Sequence, residues 1–359
     1  MRTSDLDYPL PPERIAQEPA EPRDAARLLV DGGEGGRPRH TTMAHLPELL
    51  APGDLVVLNT TRVLPARVPV RRPTGGAGEV LLVDDRGDGW WDALCRPSRK
   101  LPEGVVVDSE GGHLRFEVGE DLGGGRRVVR PEVVGTADGV GPEDMGADER
   151  RLLRALELDG QMPLPPYITT ELEDPERYQT TYARRPASAA APTAGLHITE
   201  GLLADLHRMG VSVATVDLVV GYDTFRPVTT EHVEDHPIHS EHFAVPEATW
   251  HDITTTRVSD GRVVAVGTTT VRALESVAHT GHLAGRTELF ITPGFDFRVV
   301  DALVTNFHLP RSSLLAMVEA FVGPRWRDLY RVAAEERYRF LSFGDAMLLQ
   351  RSAGRAPIP

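Results

Sequence analysis

The chain has 359 residues, a length that exceeds one ordinary domain and predicts two. Its hydrophobic fraction of 40% is sufficient for packed cores, and no apolar run is long enough to span a bilayer. The first residues, Met1–Asp7, lack the apolar segment of a secretory signal. Cys95 is the single cysteine, which excludes an internal disulfide and a thiolate metal cluster. We therefore expect a soluble, cytoplasmic protein that does not enter a membrane.

The charged residues are distributed unevenly. A net charge of −14 argues against general affinity for nucleic acid, because contacts to phosphates need cationic neighbours. Lys100 is the only lysine, and several basic residues occur in groups that could present cationic forks to phosphate or carboxylate oxygens. These groups are Arg62, Arg67, Arg71 and Arg72; Arg96, Arg99 and Lys100; and Arg126, Arg127 and Arg130. An acidic body with such a basic zone can still bind nucleic acid locally.

In the first part of the chain, Arg27–Val30 and Asp54–Asn59 are apolar runs that predict strands, with a Gly-rich turn at Gly32–Gly36 between them. Between residues 66 and 145, short β-branched runs alternate with Gly-rich turns. This texture predicts a small β-barrel or sandwich. Leucines at helical spacing then predict a helix over Asp148–Leu158.

The second part of the chain begins with Gln161–Ile168, which three prolines force into an extended conformation. Strands and helices alternate afterwards, which is typical of an α/β layer. The predicted strands are Val211–Val220, Val263–Gly267 and Val299–Thr305, and the predicted helices are Val271–His279, Ser312–Phe321 and Trp326–Arg337. We predict a discontinuous α/β domain, residues 1–65 and 146–359, with a β-barrel domain of residues 66–145 inserted into it.

The stretch Ala189–His197 is the most informative segment of the chain. Its small side chains and its proline disfavour a well-packed helix, and it ends in a histidine that can move protons near neutral pH. Thr199 is a suitable N-cap for a helix that follows directly. A backbone of little bulk therefore places an imidazole just before a helix, an arrangement typical of small-molecule sites. The alternative is an ordinary connection, which most such loops are.

His236, His239 and Glu241 form a second cluster of reactive side chains. Two histidines and a carboxylate could hold zinc, but Pro237 spoils the helical geometry that such spacing usually exploits. Acid/base and structural roles are the alternatives, and we expect no metal here.

A third segment, Val263–Arg272, runs from a buried strand through Gly267 into three threonines and a helix with Arg272 in its predicted first turn. Free backbone N–H groups and the helix dipole make such a helix start a cradle for an anion. An ordinary capped helix is the alternative.

Two further polar corners follow predicted strands. Asn306 and His308 come directly after the strand Val299–Thr305, at the carboxyl edge where α/β sheets place ligands. Asn59–Arg67 is a similar corner with two arginines. A histidine such as His308 is, taken alone, more often structural.

These segments together resemble the S-adenosylmethionine:tRNA ribosyltransferase-isomerases of queuosine biosynthesis, from nearly one end of the chain to the other. The runs Pro192–His197 and Thr305–Pro310 are long and highly specific. The matching stretches are Leu28–Val30, Asn59–Arg67, Met162–Ile168, Tyr178–Thr180, Ala191–His197, His236–Glu241, Gly267–Ser276, Asp301–Pro310 and Tyr338–Met347.

The resemblance implies an α/β domain with an inserted β-barrel and an unusual transfer reaction. S-adenosylmethionine would serve as a ribosyl donor and co-substrate. The acceptor would be the aminomethyl group of 7-aminomethyl-7-deazaguanine at the wobble position of tRNA, and the products epoxyqueuosine-tRNA, adenine and methionine. We expect a monomer.

The reaction needs a base, since the sulfonium acidifies the hydrogens of the adjacent ribose C5′. The hypothesis is that His197 or His239 is this base and that Glu241 orients an imidazole. Arg272 and the N–H groups after Gly267 would hold the methionine carboxylate or a tRNA phosphate. The other residues expected to bind substrate are Arg62, Arg67, Thr193, Gly195, Thr268, Thr269, Thr270, Asn306 and His308.

The sequence departs from the family pattern after the strand Val211–Val220. A histidine of the pattern is Val219 here and a glycine is Asp223, while Thr60 stands where Asn or Asp is more usual. Valine can neither exchange a proton nor donate a hydrogen bond, and Asp223 adds charge and bulk. Two alternatives therefore stay open: a relative that cleaves S-adenosylmethionine for a free deazapurine or a small amine, and a ligand-binding homologue without turnover.

Overall fold

The computed structural model describes residues 1–135, 146–225 and 227–351 of the chain. The chain divides into two compact units. The first consists of Met1–Thr61, Pro165–Arg184 and the chain from Pro192 onward, and the second of Arg62–Leu164 and Arg185–Ala191. The first unit is a mixed α/β layer and the second contains a closed β-barrel, which confirms the predicted fold class. The domain boundaries at residues 66 and 145 stay a prediction.

The elements are numbered in chain order. The strands are β1 (Arg27–Val30), β2 (Arg39–Thr42), β3 (Leu55–Asn59), β4 (Thr61–Val63), β5 (Arg67–Arg71), β6 (Ala77–Asp85), β7 (Trp91–Arg96), β8 (Val106–Ser109), β9 (Leu114–Gly123), β10 (Arg126–Val133), β11 (Arg185–Ser188), β12 (Ser212–Leu218), β13 (Glu241–Ala244), β14 (Val263–Val266), β15 (Ala284–Thr287), β16 (Ala302–Asn306) and β17 (Ala346–Gln350). The helices are α1 (Ala147–Asp159), α2 (Glu200–Arg208), α3 (Glu247–Val258), α4 (Thr268–Thr280), α5 (Ser313–Val322) and α6 (Trp326–Glu335). Within the described ranges, no helix is both long and apolar enough to cross a membrane.

Nine strands of the α/β unit form one sheet in the order β15-β13-β12-β3-β14-β16-β17-β1-β2. The central strands β12, β3, β14 and β16 are parallel to one another. Every residue of β3, β14 and β16 is buried, as is typical of parallel strands that are covered on both faces. The carboxyl ends of the four central strands therefore lie at one edge of the sheet.

One face of this sheet packs against helix α2. Leu202 and Leu206 of that helix belong to the same buried cluster as Val56 of β3, Val264 of β14 and Val304 of β16. Thr199 accepts a hydrogen bond from the Leu202 N–H, which confirms it as the N-cap. The helix that follows the segment Ala189–His197 is thus fixed at its start by a cap and along its length by apolar packing.

The second unit contains six strands that close into a barrel in the order β10-β7-β6-β5-β8-β9. Alternate residues are fully buried along β5 and β7, as in any strand with one face toward a core. The apolar side chains that fill this core include Val68, Val70, Val80, Ala93 and Phe116.

Most predicted elements are confirmed within a few residues, but three differences bear on the site. Helix α4 begins at Thr268, not at Val271, so Arg272 lies in its second turn. Thr193–His197 forms a short 3-10 helix, an element that commonly occurs in such short connecting segments. The elements that lay outside the predicted ones are helix α3 and strands β2, β4, β11, β13, β15 and β17.

Candidate active site

The site is built at the carboxyl edge of the central strands. Asn59 at the end of β3 donates from Nδ2 to the Leu218 carbonyl, 2.9 Å away, and its Oδ1 accepts from the Leu218 N–H at 3.2 Å. The same Nδ2 lies 3.4 Å from Thr269 Oγ1 in the first turn of α4. Asn59 is fully buried, so its amide joins the ends of β3 and β12 to the start of α4. It fixes the frame on which the reactive side chains are placed.

The 3-10 helix Thr193–His197 lies against this edge and leaves no room at Gly195. A Cβ on Gly195 would lie 2.0 Å from the Tyr182 hydroxyl oxygen and 3.0 Å from Thr180 Cγ2. Gly267 in turn approaches Ala194, since a Cβ on Gly267 would lie 3.9 Å from the Cβ of Ala194. Gly195 is therefore needed for close packing at this turn, whereas the distance at Gly267 is an ordinary contact.

We expect Gly195→Ala to destabilise the protein by about 1–3 kcal/mol, because the added methyl overlaps the Tyr182 hydroxyl. Gly201→Ala is the matched control, since a Cβ there meets only Thr199 Oγ1 at 3.8 Å and alanine favours the helical backbone by about 0.5–1 kcal/mol. Urea unfolding of both variants measures the difference. Equal stability of the two variants would contradict the steric argument.

Three predicted site residues meet at this turn. His197 Nε2 lies 3.4 Å from Asn306 Nδ2, and the Thr193 hydroxyl donates to Asn306 Oδ1 at 2.9 Å. His197 Nδ1 lies 3.3 Å from the Arg23 carbonyl oxygen. Because a carbonyl only accepts, the neutral ring carries its proton on Nδ1 and directs the Nε2 lone pair toward Asn306. Burial lowers the pKa of His197 from its ordinary value of 6.5 to about 4, so the ring is neutral at pH 7.

His308, which was also predicted to bind substrate, follows Asn306 by two residues and is buried. Its Nε2 lies 2.9 Å from Thr305 Oγ1, and its backbone N–H donates to the Tyr330 hydroxyl at 2.9 Å. Burial lowers the pKa of His308 to about 3. These contacts describe a histidine that holds the turn after β16, and its role in substrate binding stays a prediction.

The two buried histidines make the protein sensitive to acid. A histidine that is neutral when folded gains a proton on unfolding between about pH 6.5 and its folded pKa, so stability is intact above pH 6.5 and falls as the pH drops. We expect each ring to remove about 2 kcal/mol of the free energy of unfolding between pH 7 and pH 5.

Replacing His308 with glutamine should remove its share of this loss, whereas His251→Gln on the exposed face of α3 should not alter it. Urea unfolding at pH 7 and pH 5 measures both variants. If His308→Gln loses as much stability on acidification as the unmodified protein, the assignment of a neutral, buried imidazole to His308 is wrong.

The larger cavity described at this edge is an open cleft, and the space of about 530 Å³ assigned to it includes solvent at its mouth. It brings together the predicted residues His239, Glu241 and Arg272. Its polar and apolar lining also includes His236, Gly221, Thr224, Ile238, Leu289, Phe290, Ile291, Ser313, Leu314 and Met317.

At the base of the cavity, Glu241 and Arg272 form a buried ion pair through Glu241 Oε2 and Arg272 Nη1. Glu241 Oε1 also accepts from the Gly221 N–H at 3.0 Å. Arg272 donates to the carbonyls of Leu289 at 3.1 Å and Thr287 at 3.3 Å. The guanidinium is therefore engaged by protein groups, and its predicted contact with a substrate anion remains untested.

The two histidines of the cavity differ in their surroundings. His239 is exposed, and its backbone carbonyl accepts from Arg272 Nη2 at 3.4 Å. His236 packs its ring edge-on against Phe290, with centroids 6.3 Å apart, and its Nδ1 is buried without a hydrogen-bond partner among the described residues. Burial, followed by the charge of His239, lowers the pKa of His236. The Arg272–Glu241 pair thus holds the backbone that carries His239.

The start of α4 retains its suitability for an anion. Gly267 is the N-cap with a φ of 92°, a conformation that favours glycine, and no side chain caps the helix. The threonines are buried, and Thr270 Oγ1 bonds to the Val266 carbonyl at 2.7 Å while Thr269 contacts Asn59. The predicted roles of Thr268, Thr269 and Thr270 in substrate binding stay predictions.

Arg62 and Arg67, the two basic residues expected to bind substrate, belong to the barrel unit. Arg67 is half-buried and pairs with Glu79 through two oxygens, at 3.0 and 3.1 Å. Arg62 lies in β4 and is half-buried. Their contacts with substrate are not tested by these observations.

The departures from the family pattern lie near the same sheet edge. Val219 follows β12 directly and is half-buried, with its N–H 2.9 Å from the His242 carbonyl. The Thr60 hydroxyl donates to Asp217 at 2.7 Å, so a polar side chain is retained there. The side chain of Asp223 lies outside the described residues.

Several residues of the site were not predicted from the sequence. Arg23, Ser342 and Phe343 line a smaller cleft with His197, and Phe290 closes one wall of the larger cavity. Arg23 is 174 residues away from His197 along the chain. Ser342 and Phe343 lie within Tyr338–Met347, one of the stretches that carry the family resemblance. Over the ranges that the structure covers, no group of three or more His, Cys, Asp or Glu is arranged to hold a metal ion.

The fold and the cavity define an α/β protein with a candidate small-molecule site at the carboxyl edge of its sheet and an inserted barrel. The family model described as "Queuosine biosynthesis protein" matches residues 3–349. The chain therefore belongs to the queuosine biosynthesis protein family.

Similar proteins carry one name, S-adenosylmethionine:tRNA ribosyltransferase-isomerase. The protein from Rubrobacter xylanophilus is 51% identical over 97% of this chain and 98% of its own. The proteins from Moorella thermoacetica and Thermotoga maritima are 47% and 46% identical, each over 97% of this chain and 100% of their own. A crystal structure of S-adenosylmethionine tRNA ribosyltransferase from Thermotoga maritima covers 96% of this chain and 99% of its own, with 36% identity and a TM-score of 0.53.

Proposed function

We propose that this protein is an enzyme that transfers the ribosyl moiety of S-adenosylmethionine to tRNA and isomerises it. The acceptor is the aminomethyl group of 7-aminomethyl-7-deazaguanine at the wobble position, and the products are epoxyqueuosine-tRNA, adenine and methionine. The observation that carries the proposal is the end-to-end similarity, at 46–51% identity, to proteins named for this activity. No metal takes part in the proposed reaction.

The larger cavity suits S-adenosylmethionine in its chemistry. The donor combines a cationic sulfonium, a charged amino-acid end and a flat purine. The carboxylate of Glu241 lies beside apolar and aromatic walls that include Leu289 and Phe290. Apolar walls favour a purine ring over water, whereas the charge of Glu241 is already matched by Arg272. The start of α4, which no side chain caps, lies outside the lining of this cavity and is the group proposed for the donor's carboxylate.

Of the two candidate bases, the surroundings favour His239. A general base works best when its pKa lies near the operating pH. Burial lowers the pKa of His197 to about 4, and its Nδ1 bonds to the Arg23 carbonyl. His239 is exposed and lines the larger cavity. His197 then binds and orients substrate together with Thr193 and Asn306, while His239 takes the proton.

In the proposed reaction, the His239 imidazole accepts a proton from C5′ of the donor ribose, which the neighbouring sulfonium acidifies. Opening of the ribose ring expels adenine, which leaves with a proton from a hydrogen-bond donor. The acceptor amine forms a carbon–nitrogen bond to C4′ of the opened sugar and gives up a proton. The nucleophilic C5′ then bonds to C1′, and the C1′ oxygen displaces the sulfur from C5′, so that the epoxide closes and methionine leaves with the electron pair of the carbon–sulfur bond.

Glu241 acts as a positioning residue in this scheme. It does not need to touch the imidazole, because it pairs with Arg272, and Arg272 holds the His239 backbone carbonyl. Glu241 therefore orients the His239 imidazole indirectly, through the Arg272 guanidinium.

One experiment tests the function. The protein is incubated with S-adenosylmethionine, with and without tRNA that bears the modified base, and free adenine and methionine are assayed. Release that requires the tRNA supports the proposal. Release without tRNA would replace it with transfer to another acceptor, the alternative suggested by Val219, and no release in any condition would leave a binding protein.

A further inference from the structure

We propose that the outer face of barrel strands β5, β6 and β7, together with the turn Ser98–Lys100, binds the phosphate backbone of the tRNA. We call this surface the basic face; its exposed cations are Arg71, Arg96, Arg99 and Lys100. The identity of the RNA rests on the proposed function. The surface itself is argued from the barrel unit alone.

The strand period places these cations on the outside of the barrel. Val70 of β5 and Cys95 of β7 are buried inside the barrel. Arg71 and Arg96 directly follow them, so their side chains point outward. β5, β6 and β7 are neighbours, with Arg71 opposite Ala77 and Arg96 opposite Glu79. Adjacent strands are about 4.8 Å apart, so the arginines lie within reach of one RNA strand.

The turn after β7 extends the same surface. Lys100 N–H bonds to the Pro97 carbonyl at 3.0 Å, and Leu101 N–H bonds to the Ser98 carbonyl at 3.1 Å. Leu101 is fully buried in the barrel. The turn is therefore anchored, and it presents Arg99 and Lys100 to solvent without a large entropy cost on binding.

Three carboxylates near this face are already paired, among them Asp108, which lies opposite Arg71 and pairs with Arg115 at 2.8 Å. Glu79 accepts two hydrogen bonds from Arg67, and Asp121 pairs with Arg127 at 3.0 Å. By contrast, none of the four exposed cations of the basic face forms an ion pair with any of the described residues. A local positive potential thus stands out on a chain with a net charge of −14. Such a field attracts a polyanion and is screened by salt.

The test compares two triple variants with the same change in net charge. Arg96→Glu, Arg99→Glu and Lys100→Glu reverse the basic face, whereas Arg154→Glu, Arg208→Glu and Arg331→Glu reverse exposed helical arginines elsewhere. Binding of a tRNA transcript is measured between 50 and 200 mM salt, and circular dichroism checks that both variants fold. We expect the first variant to bind at least about 10-fold more weakly and to show a salt slope shallower by about 2–3.

The control variant should bind within about 3-fold of the unmodified protein. At saturating tRNA, the basic-face variant should keep its rate of adenine release while its KM for tRNA rises, since no cavity residue is changed. Equal affinity of the two triple variants would overturn the inference. If tRNA binding depends on the basic face but no condition releases adenine, the proposed function fails while the inference stands.

Discussion

His239→Ala is expected to release adenine about 10²–10⁴-fold more slowly than the unmodified protein at saturating donor and tRNA. This is the usual contribution of a positioned general base, and alanine leaves no group to take the C5′ proton. Because His239 is exposed, the fold should persist and donor binding should change little. A quenched-flow or steady-state assay of free adenine measures the effect.

His251→Ala, an exposed histidine on α3, is the matched control and should retain full activity. The variant His197→Gln distinguishes the two candidate bases, because glutamine keeps hydrogen-bonding groups in the buried position but cannot accept the proton. We expect His197→Gln to impair binding of substrate more than the rate at saturation. If it slows turnover as much as His239→Ala, or if His239→Ala is as fast as the unmodified protein, the assignment of His239 is wrong.

The second large effect is expected at the buried pair of Glu241 and Arg272. Glu241→Ala leaves the guanidinium unpaired in a dry environment, which should lower the free energy of unfolding by about 3–5 kcal/mol. Turnover should fall as well, because Arg272 no longer holds the His239 carbonyl in place. Urea unfolding and adenine release, measured on the same preparations, record the two effects.

A double-mutant cycle separates pairing from packing. Glu241→Leu with Arg272→Met removes both charges, and the double variant should be more stable than the sum of the single losses implies. Its stability should recover, because no charge is left unpaired. Its turnover should remain low, because the donor to the His239 carbonyl is removed with Arg272. Additive losses in stability would mean that the two side chains do not act as a pair.

Much of the fold could be predicted because its central strands consist of nearly unbroken apolar runs. Leu55–Asn59 and Val263–Val266 are buried on both faces, and only continuous β-branched and aliphatic sequences satisfy such positions. The outer strands β2 and β15 contain the sequences Arg-His-Thr-Thr and Ala-Gly-Arg-Thr, which carry no apolar period. Pairing with a neighbour, not local propensity, makes them strands.

The site was predictable in its parts but not in its assembly. Thr193, His197 and Asn306 were marked by their place at the end of a small-residue loop and of a buried strand, and the structure joins them. Helix α4 begins three residues earlier than its apolar pattern suggests, because Gly267 supplies the turn and buried threonines form the first turn. Arg272 therefore lies in the second turn of the helix, where it pairs with Glu241.

The sequence by itself determined the family, the layered α/β architecture with its barrel, and the identity of the polar residues at strand ends. Only the tertiary structure decided their chemical state. The neutrality of His197 follows from its burial, and the pairing of Arg272 with Glu241 joins residues 31 positions apart through the sheet edge. A side chain's pKa and partners depend on solvent exclusion and on groups from distant segments, and neither is encoded in the local run of residues.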